Sequence, residues 1–254
     1  MLQHDYVGQD AKGIALPVAI ESILSRDWVT TQYPALYENV LAGVAAGGLP
    51  FRMTECNDYT GGVKDASNAF VAALWALDYM HWWAAHGCAG VNFHNRRWIP
   101  TDTIYLDAGG ILQIHPKAYA LWAFTLGAQG RIIKSIEATN PGGVNFSGYA
   151  VGDATNMFVT LINKSSGSRS TNIVTAIRLR HFTVSRGEYI RMEGTPAGDC
   201  SARAATLGGV AITSSSSFSP HWTPIAVDPQ GHCFIKINPA SAVIVHLVQE
   251  TPLK

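Results

Sequence analysis

The sequence predicts an α/β first half followed by an all-β second half, and two observations carry this prediction. Residues 51–94 have the order strand, loop, helix, strand, which is the repeating unit of a parallel sheet. From residue 131 onward, short β-branched runs about ten residues apart alternate with Ser, Gly, Asn and Pro clusters, a pattern typical of an antiparallel β-sandwich. We therefore expect one domain over residues 1–130 and a second over residues 131–254.

Hydrophobic periodicity assigns the elements of the first half in order. The predicted strands are residues 2–7, 51–54 and 89–93, and the predicted helices are residues 17–25, 34–46, 66–85 and 116–126. The helix over 66–85 is apolar almost all round, so we expect it to be buried or to contact a partner. Asp65 or Ser67 is expected to cap its N-terminus.

The second half is expected to contain mainly strands, among them residues 157–163, 173–179, 187–192 and 242–248. The chain has four cysteines and no Cys-x-x-Cys pair, so we expect neither a zinc site nor any other metal site. Cys200 and Cys233 could form a disulfide. Cys56 and Cys88 lie on neighbouring predicted strands and are expected to be buried free thiols.

Composition limits the function classes. Of the 254 residues, 47% are hydrophobic and 14% are charged, which is enough apolar surface for a sizeable core. Basic and acidic residues balance at 18 each, so we expect neither nucleic acid nor an anionic membrane as a partner. No apolar run reaches the roughly 18 residues that a membrane span needs. The first residues lack the pattern of a signal peptide, and localisation stays open.

Polar side chains lie at the ends of the predicted strands, where β/α proteins carry their chemistry. Glu55 and Asn57 follow one strand, and Asn92 and His94 end another. A carboxylate in this position suits sugar chemistry, in which it attacks an anomeric carbon. The alternatives are structural: Glu55 could pair with Arg52, the two asparagines could simply close turns, and His94 could have a structural role.

Four motifs occur in a fixed order along residues 51–94: Arg52-Met-Thr-Glu55-Cys-Asn57, Gly61-Gly62, Ala73-Leu-Trp75-Ala-Leu-Asp78-Tyr79 and Gly87-Cys-Ala-Gly90-Val-Asn92-Phe-His94. Together they resemble family seventy-nine of the glycoside hydrolases, which includes heparanase and bacterial β-glucuronidases. His4-Asp5-Tyr6 is similar to the end of the family's sixth strand, and residues 239–247 are similar to the last strand of its β-domain.

The resemblance implies a (β/α)8 barrel followed by a β-sandwich, of which this chain matches the C-terminal part only, about three strands corresponding to strands six to eight. It implies retaining hydrolysis of β-linked sugars, often uronic acids, without a cofactor, in proteins that are often exported. By resemblance, Glu55 is the nucleophile. The residues expected to contact the carbohydrate are His4, Tyr6, Asn57, Tyr59, Gly61, Gly62, Asn92, His94 and Tyr105.

One feature departs from the family pattern. A retaining glycosidase needs a second carboxylate roughly 5 Å from the nucleophile to protonate the leaving oxygen. In the family this acid follows strand four in an Asn-Glu pair, and no Asn-Glu pair occurs in this chain. Burial could convert another acid into a proton donor, and the candidates in predicted loops are Asp5, Asp58, Asp65, Asp102 and Asp107.

Three strands cannot close a barrel, so we expect a homo-oligomer or a partner chain to cover the open edge. Three hypotheses follow: a truncated retaining β-glycosidase of the β-glucuronidase type, a non-catalytic remnant, or one subunit of a split barrel whose partner supplies the acid. The first is favoured because the loop around Glu55 keeps its catalytic residue types.

Overall fold

The computed structural model describes residues 1–96, 99–132, 138–140, 142–179, 183–213 and 218–249. The chain divides into two compact units, Met1–Ala120 with Cys200–Ala204, and Leu121–Asp199 with Ala205–Lys254. The strands are β1 Leu2–Tyr6, β2 Phe51–Asn57, β3 Cys88–Phe93, β4 Ile104–Leu106, β5 Leu112–Ile114, β6 Arg131–Ile132, β7 Phe146–Gly152, β8 Asn156–Asn163, β9 Ile173–Arg178, β10 Val184–Thr195, β11 Ala204–Leu207, β12 Thr223–Pro224, β13 His232–Ile237 and β14 Ser241–Gln249. The α-helices are α1 Leu16–Ile23, α2 Tyr33–Leu36, α3 Ala42–Ala46, α4 Phe70–Ala85 and α5 Lys117–Gly127.

The first unit is built on a three-stranded parallel sheet in the order β1-β2-β3. Leu2 lies opposite Arg52 and Tyr6 lies opposite Asn57, with a register shift between Gln3 and His4. Because the strands are parallel, their C-terminal ends meet at one edge of the sheet. This sheet does not form a closed barrel in the part of the chain that the structure describes.

The two faces of this sheet differ in exposure. Phe51 and Met53 alternate with Arg52 along β2 and are almost fully buried, whereas Arg52 is exposed. On the same exposed face, the side chain of Leu2 is 69% accessible. Parallel sheets are normally covered on both faces, so the exposure of one face is unusual for this class of sheet.

Helix α4 is the core of the first unit. All residues from Phe70 to Trp83 are buried, which confirms the expectation from its uniform hydrophobicity. Trp83 packs edge-on against Phe51 of β2, with ring centroids 6.3 Å apart. Tyr33 of α2 contacts Tyr79, Trp82 and Trp83 of α4. This aromatic layer fixes the helix on the sheet.

The predicted start of α4 is wrong. The helix begins at Phe70, and neither Asp65 nor Ser67 caps it. The backbone amides of Phe70 and Val71 instead donate to the carbonyls of Ala202 and Cys200, at 2.8 and 2.7 Å. A distant segment therefore caps the helix, while Asp65 adopts a left-handed backbone (φ 68°) and forms an ion pair with Arg203.

The helix predicted over residues 34–46 is a mixed helical run. It consists of α2 and α3 joined by a π-helical turn at Tyr37–Leu41, and a further π-helical turn at Trp28–Gln32 precedes it. The predicted helices 17–25 and 116–126 agree with α1 and α5 to within two residues. None of the helices in the described ranges is both long and apolar enough to cross a membrane.

The second unit contains a seven-stranded sheet in the order β11-β10-β14-β8-β7-β6, with β12 beside β10, and a two-stranded sheet of β9 and β13. The pairs β10–β12, β10–β14, β14–β8, β7–β8, β6–β7 and β9–β13 are all antiparallel. Ile177, Ile235 and Ile237 of the small sheet form a hydrophobic cluster with Val243 and Leu247 of the large one. This apolar layer is the core of the second unit.

The cysteines form no disulfide. All four are free thiols, including Cys200 and Cys233, the pair that could have formed a disulfide. Cys233 points into the hydrophobic cluster, where burial raises the pKa of its thiol to about 11. Cys56 is buried as expected, whereas Cys88 is only partly buried.

Candidate functional site

The carboxylate of Glu55 lies near the C-terminal end of β2, on the exposed face of the parallel sheet. Its side chain is 37% accessible. The hydroxyl of Tyr6, on the neighbouring strand β1, donates a hydrogen bond of 2.5 Å to Glu55 Oε1. The register shift between Gln3 and His4 brings His4 directly opposite Glu55, so β1 presents two polar side chains to the carboxylate.

His94, just after β3, completes this cluster. Its Nδ1 atom lies 2.7 Å from the Tyr6 oxygen and 3.5 Å from Glu55 Oε1. Because the single hydroxyl proton of Tyr6 is donated to Glu55, the Tyr6 oxygen is the acceptor in its contact with His94, and Nδ1–H is the donor. His94 therefore carries a proton on Nδ1. His4 Nδ1 lies 3.9 Å from Glu55 Oε2, on the other side of the carboxylate.

These neighbours favour the ionised form of Glu55. The hydrogen bond from Tyr6 and the nearby imidazoles of His94 and His4 lower the pKa of Glu55 below its ordinary value, against the opposing effect of desolvation. Burial and the adjacent carboxylate raise the pKa of Tyr6, which keeps its hydroxyl protonated as a donor. The result is an anchored, ionised and accessible carboxylate, the state required of a carboxylate nucleophile.

Asn57 is the last residue of β2 and lies opposite Tyr6 in the sheet. Its side chain is fully buried. Its amide nitrogen donates to the backbone carbonyl of His94 at 2.7 Å, and its Oδ1 accepts a hydrogen bond of 2.6 Å from Lys117 Nζ. Sequence reasoning did not identify Lys117. The available signal was a single lysine at the start of an otherwise apolar helix.

In the loop after β2, the side chain of Tyr59 is buried, unlike the accessible carboxylate of Glu55. The side chain of Tyr59 is 1% accessible, and its ring lies against Gly8, where an added Cβ atom would come within 2.1 Å of it. Gly61 and Gly62 have φ values of 75° and 78°, in the left-handed region that favours glycine. The loop therefore turns sharply with the Tyr59 ring inside the protein.

Two further expected contacts also lie outside the cluster. Asn92 Oδ1 accepts a hydrogen bond of 3.0 Å from Arg52 on the exposed face of the sheet, two residues before His94. Tyr105 lies on β4, and its ring packs edge-on against His115 with centroids 5.2 Å apart. The structure thus brings together His4, Tyr6, Glu55 and His94.

The candidate proton donors have other partners. Asp5 accepts a hydrogen bond of 3.0 Å from Tyr79 of α4, so it faces the helical layer, and burial raises its pKa to about 6. Asp65 pairs with Arg203, and Asp107 accepts bonds from the backbone of its own turn.

The remaining two candidates, Asp58 and Asp102, are buried. Desolvation raises the pKa of Asp58. In the ranges that the structure describes, no set of three or more His, Cys, Asp or Glu side chains is placed to hold a metal ion.

A cavity of about 430 Å³ adjoins the cluster along β1. The residues that line it include His4, Asp5 and Tyr6 of β1 and the aromatic residues Trp28 and Tyr33. Its volume is within the range of roughly 300–1,000 Å³ found for small-molecule sites. Two residues of the Glu55 cluster, His4 and Tyr6, therefore also face a pocket with aromatic walls.

Several solved structures with a similar fold are glycosidases. A 4-O-α-L-rhamnosyl-β-D-glucuronidase from Fusarium oxysporum 12S superimposes with a TM-score of 0.72 at 14% identity, over 96% of this chain and 52% of that one. A family 44 endoglucanase from Clostridium acetobutylium ATCC 824 gives 0.61 at 12% identity, over 98% and 47%. A family 51 arabinofuranosidase from Xanthomonas axonopodis pv. citri gives 0.60 at 12% identity, over 97% and 52%.

The chain has a glycoside hydrolase fold. It spans about half the length of the solved structures it matches. No protein-family model and no curated protein matches it. At these identities the likeness extends to the fold, and it does not distinguish family seventy-nine from the other families.

Proposed function

We propose that the chain is a retaining β-glycosidase of the β-glucuronidase type, with Glu55 as its nucleophile. The observation that carries this proposal is the Glu55 carboxylate itself, accessible and held by Tyr6 and His94 at the ends of parallel strands. The similarity to a rhamnosyl-β-D-glucuronidase supports a substrate with a β-linked uronic acid.

In the proposed reaction, one oxygen of Glu55 bonds to the anomeric carbon while the bond from that carbon to the leaving oxygen breaks. The hydrogen bond from Tyr6 keeps the carboxylate oriented and ionised before the attack. The leaving oxygen takes a proton from a second acid, and water then releases the sugar from Glu55. Asn57, Tyr59 and Tyr105 would contribute by holding the surrounding backbone.

The test is covalent trapping with 2-fluoro glycosides, uronic and neutral, that carry an activated leaving group. Such leaving groups depart with little acid assistance, so the experiment needs only a working nucleophile. We expect a mass gain of one fluorosugar, mapped to Glu55 and absent from Glu55→Gln. Glu21→Gln, which changes an exposed glutamate on α1, is the matched control and should trap normally.

A second candidate function is favoured by the exposed sheet face. One subunit of a split barrel would expose this face, and β1 and β3 would be the edges to which another chain adds strands. The partner, a second copy or a different chain, would then supply the proton donor. Light scattering on the purified chain tests self-association, and a monomer that traps no fluorosugar would favour a separate partner.

The non-catalytic alternative predicts a different result. A remnant would bind sugar at most, with no adduct at Glu55 from any 2-fluoro glycoside, whether alone or oligomeric. A folded chain that shows neither an adduct nor sugar binding, as measured by calorimetry, would contradict the glycosidase proposal.

A further inference from the structure

Lys117 is a buried cation that is linked to the backbone of His94 through the side chain of Asn57. It is the first residue of α5, and its side chain is 1% accessible. Its ammonium donates to Asn57 Oδ1 at 2.6 Å and to the carbonyl of Thr101 at 2.5 Å, and it lies 5.3 Å from the centre of the Phe93 ring. Burying a charge is costly, so a lysine in this position needs compensating contacts.

A continuous set of hydrogen bonds joins Lys117 to the nucleophile. Lys117 holds Asn57, and Asn57 donates to the carbonyl of His94 at 2.7 Å. The His94 amide donates to the Cys56 carbonyl at 3.1 Å, so the backbone of His94 is fixed to β2 on both sides. The His94 ring then contacts Tyr6, which donates to Glu55.

Two carboxylates among the described residues lie near the ammonium. Asp58 and Asp102 favour the protonated form of Lys117, but burial is the larger effect and lowers the pKa of Lys117 to about 8. The nearby Cys56 thiol is neutral, because burial raises its pKa. His115 also faces Lys117 from the segment before α5, and its own pKa is lowered mainly by burial.

The carboxylates near Lys117 do not use their full hydrogen-bonding capacity. Among the described atoms, Asp58 Oδ2 and both carboxylate oxygens of Asp102 are buried without hydrogen-bond partners. The hydrogen bonds of the ammonium go instead to the carbonyl of Thr101 and to Asn57, which joins the end of β2 to the His94 carbonyl after β3.

We propose that Lys117 is a positioning residue that sets the geometry of the Glu55 site through Asn57 and His94. The inference rests on the proposed role of Glu55, but its physical content is independent of turnover. Without the ammonium, buried Asn57 Oδ1 loses its donor, and His94 loses the rigid support that holds its ring against Tyr6. The hydrogen bond from Tyr6 to Glu55 then weakens.

The test follows the Glu55 carboxyl carbon by NMR in chain labelled with ¹³C-glutamate, assigned with Glu55→Gln. Lys117→Met removes both charge and donors, whereas Lys117→Gln removes the charge and keeps N–H donors. We expect the Glu55 titration to move to higher pH in Lys117→Met and to stay near wild type in Lys117→Gln. Fluorosugar trapping by Lys117→Met should slow about tenfold at neutral pH.

Two controls separate positioning from other effects. Leu74→Ala, in the buried centre of α4, removes core packing and no hydrogen-bonding group, and it should leave the Glu55 titration unchanged. If Lys117→Gln shifts the titration as far as Lys117→Met, loss of charge explains the effect and the positioning role is overturned. An unchanged titration in Lys117→Met also overturns it.

The wild-type chain supplies a measurement that does not depend on a variant folding. As pH rises through about 8, Lys117 loses its charge but keeps two N–H donors for Asn57 and Thr101, so the Glu55 resonance should show no large second change. A second change near pH 8 as large as the shift in Lys117→Met would show that the charge itself acts and would contradict the proposal. Absence of trapping together with the expected NMR shifts would refute the glycosidase function while leaving the positioning role intact.

Discussion

Replacing Asp5 by Asn should stabilise the chain at neutral pH. Asp5 is largely buried against α4, and desolvation raises its pKa from 3.8 to about 6 despite the hydrogen bond from Tyr79. At about 1.4 kcal/mol per pKa unit, the ionised form costs the folded state about 2–3 kcal/mol relative to the protonated form. Asn is neutral at every pH and keeps an oxygen that can accept the Tyr79 bond.

The sign of the pH dependence follows from this shift. Between pH 4 and 6 the folded chain binds more protons at Asp5 than the unfolded chain, so wild-type stability falls as pH rises through this range. Other carboxylates titrate in both proteins and cancel in the difference. We therefore expect Asp5→Asn to exceed wild type by about 2 kcal/mol at pH 7.5 and by almost nothing at pH 4.

Urea denaturation at pH 4, 5, 6 and 7.5 measures this difference. Asp10→Asn is the matched control: Asp10 is exposed and accepts only a local backbone bond from Lys12, so its variant should match wild type at all four pH values. A less stable Asp5→Asn at pH 7.5, or a difference that does not shrink toward pH 4, would refute the desolvation argument.

Three further predictions concern the site, the core and the thiols. Tyr6→Phe removes the donor that lowers the Glu55 pKa, so the acid limb of the fluorosugar trapping rate should move to higher pH, and loss of the hydrogen bond that orients the carboxylate should lower the plateau rate by about tenfold. Trp75→Phe should lose about 1 kcal/mol more in urea denaturation than Trp83→Phe, because the Trp75 indole donates to Tyr33 whereas the Trp83 indole nitrogen has no hydrogen-bond partner among the described atoms. Titration of the unfolded chain without reductant should find all four thiols free; fewer would contradict the structure.

Local sequence patterns were sufficient to locate most helices and strands of the first unit. Alternating and apolar runs placed β1, β2 and β3 to within a few residues, and the uniform hydrophobicity of α4 predicted its burial. The position of Glu55 near a strand end also followed from pattern alone. These features depend on residues close in sequence, which is why a single sequence could reveal them.

Contacts between distant segments decided what the sequence could not. The start of α4 depends on carbonyls of Cys200 and Ala202, which lie 130 residues away along the chain, so the local capping signal at Asp65 was misleading. Likewise, the inward placement of Tyr59 depends on the space beside Gly8, in the loop after β1.

By itself, the sequence determined the order of strands and helices and the change from an α/β half to a half built of antiparallel strands. It also determined the position of a carboxylate near the end of a buried strand. The tertiary structure decided which groups meet that carboxylate and which lie behind it. Tyr6 and His94 reach Glu55 from neighbouring strands, and Lys117 reaches Asn57 from a helix 60 residues later. Such contacts depend on strand register and on the burial of polar groups, which are properties of the packed fold and not of any local segment.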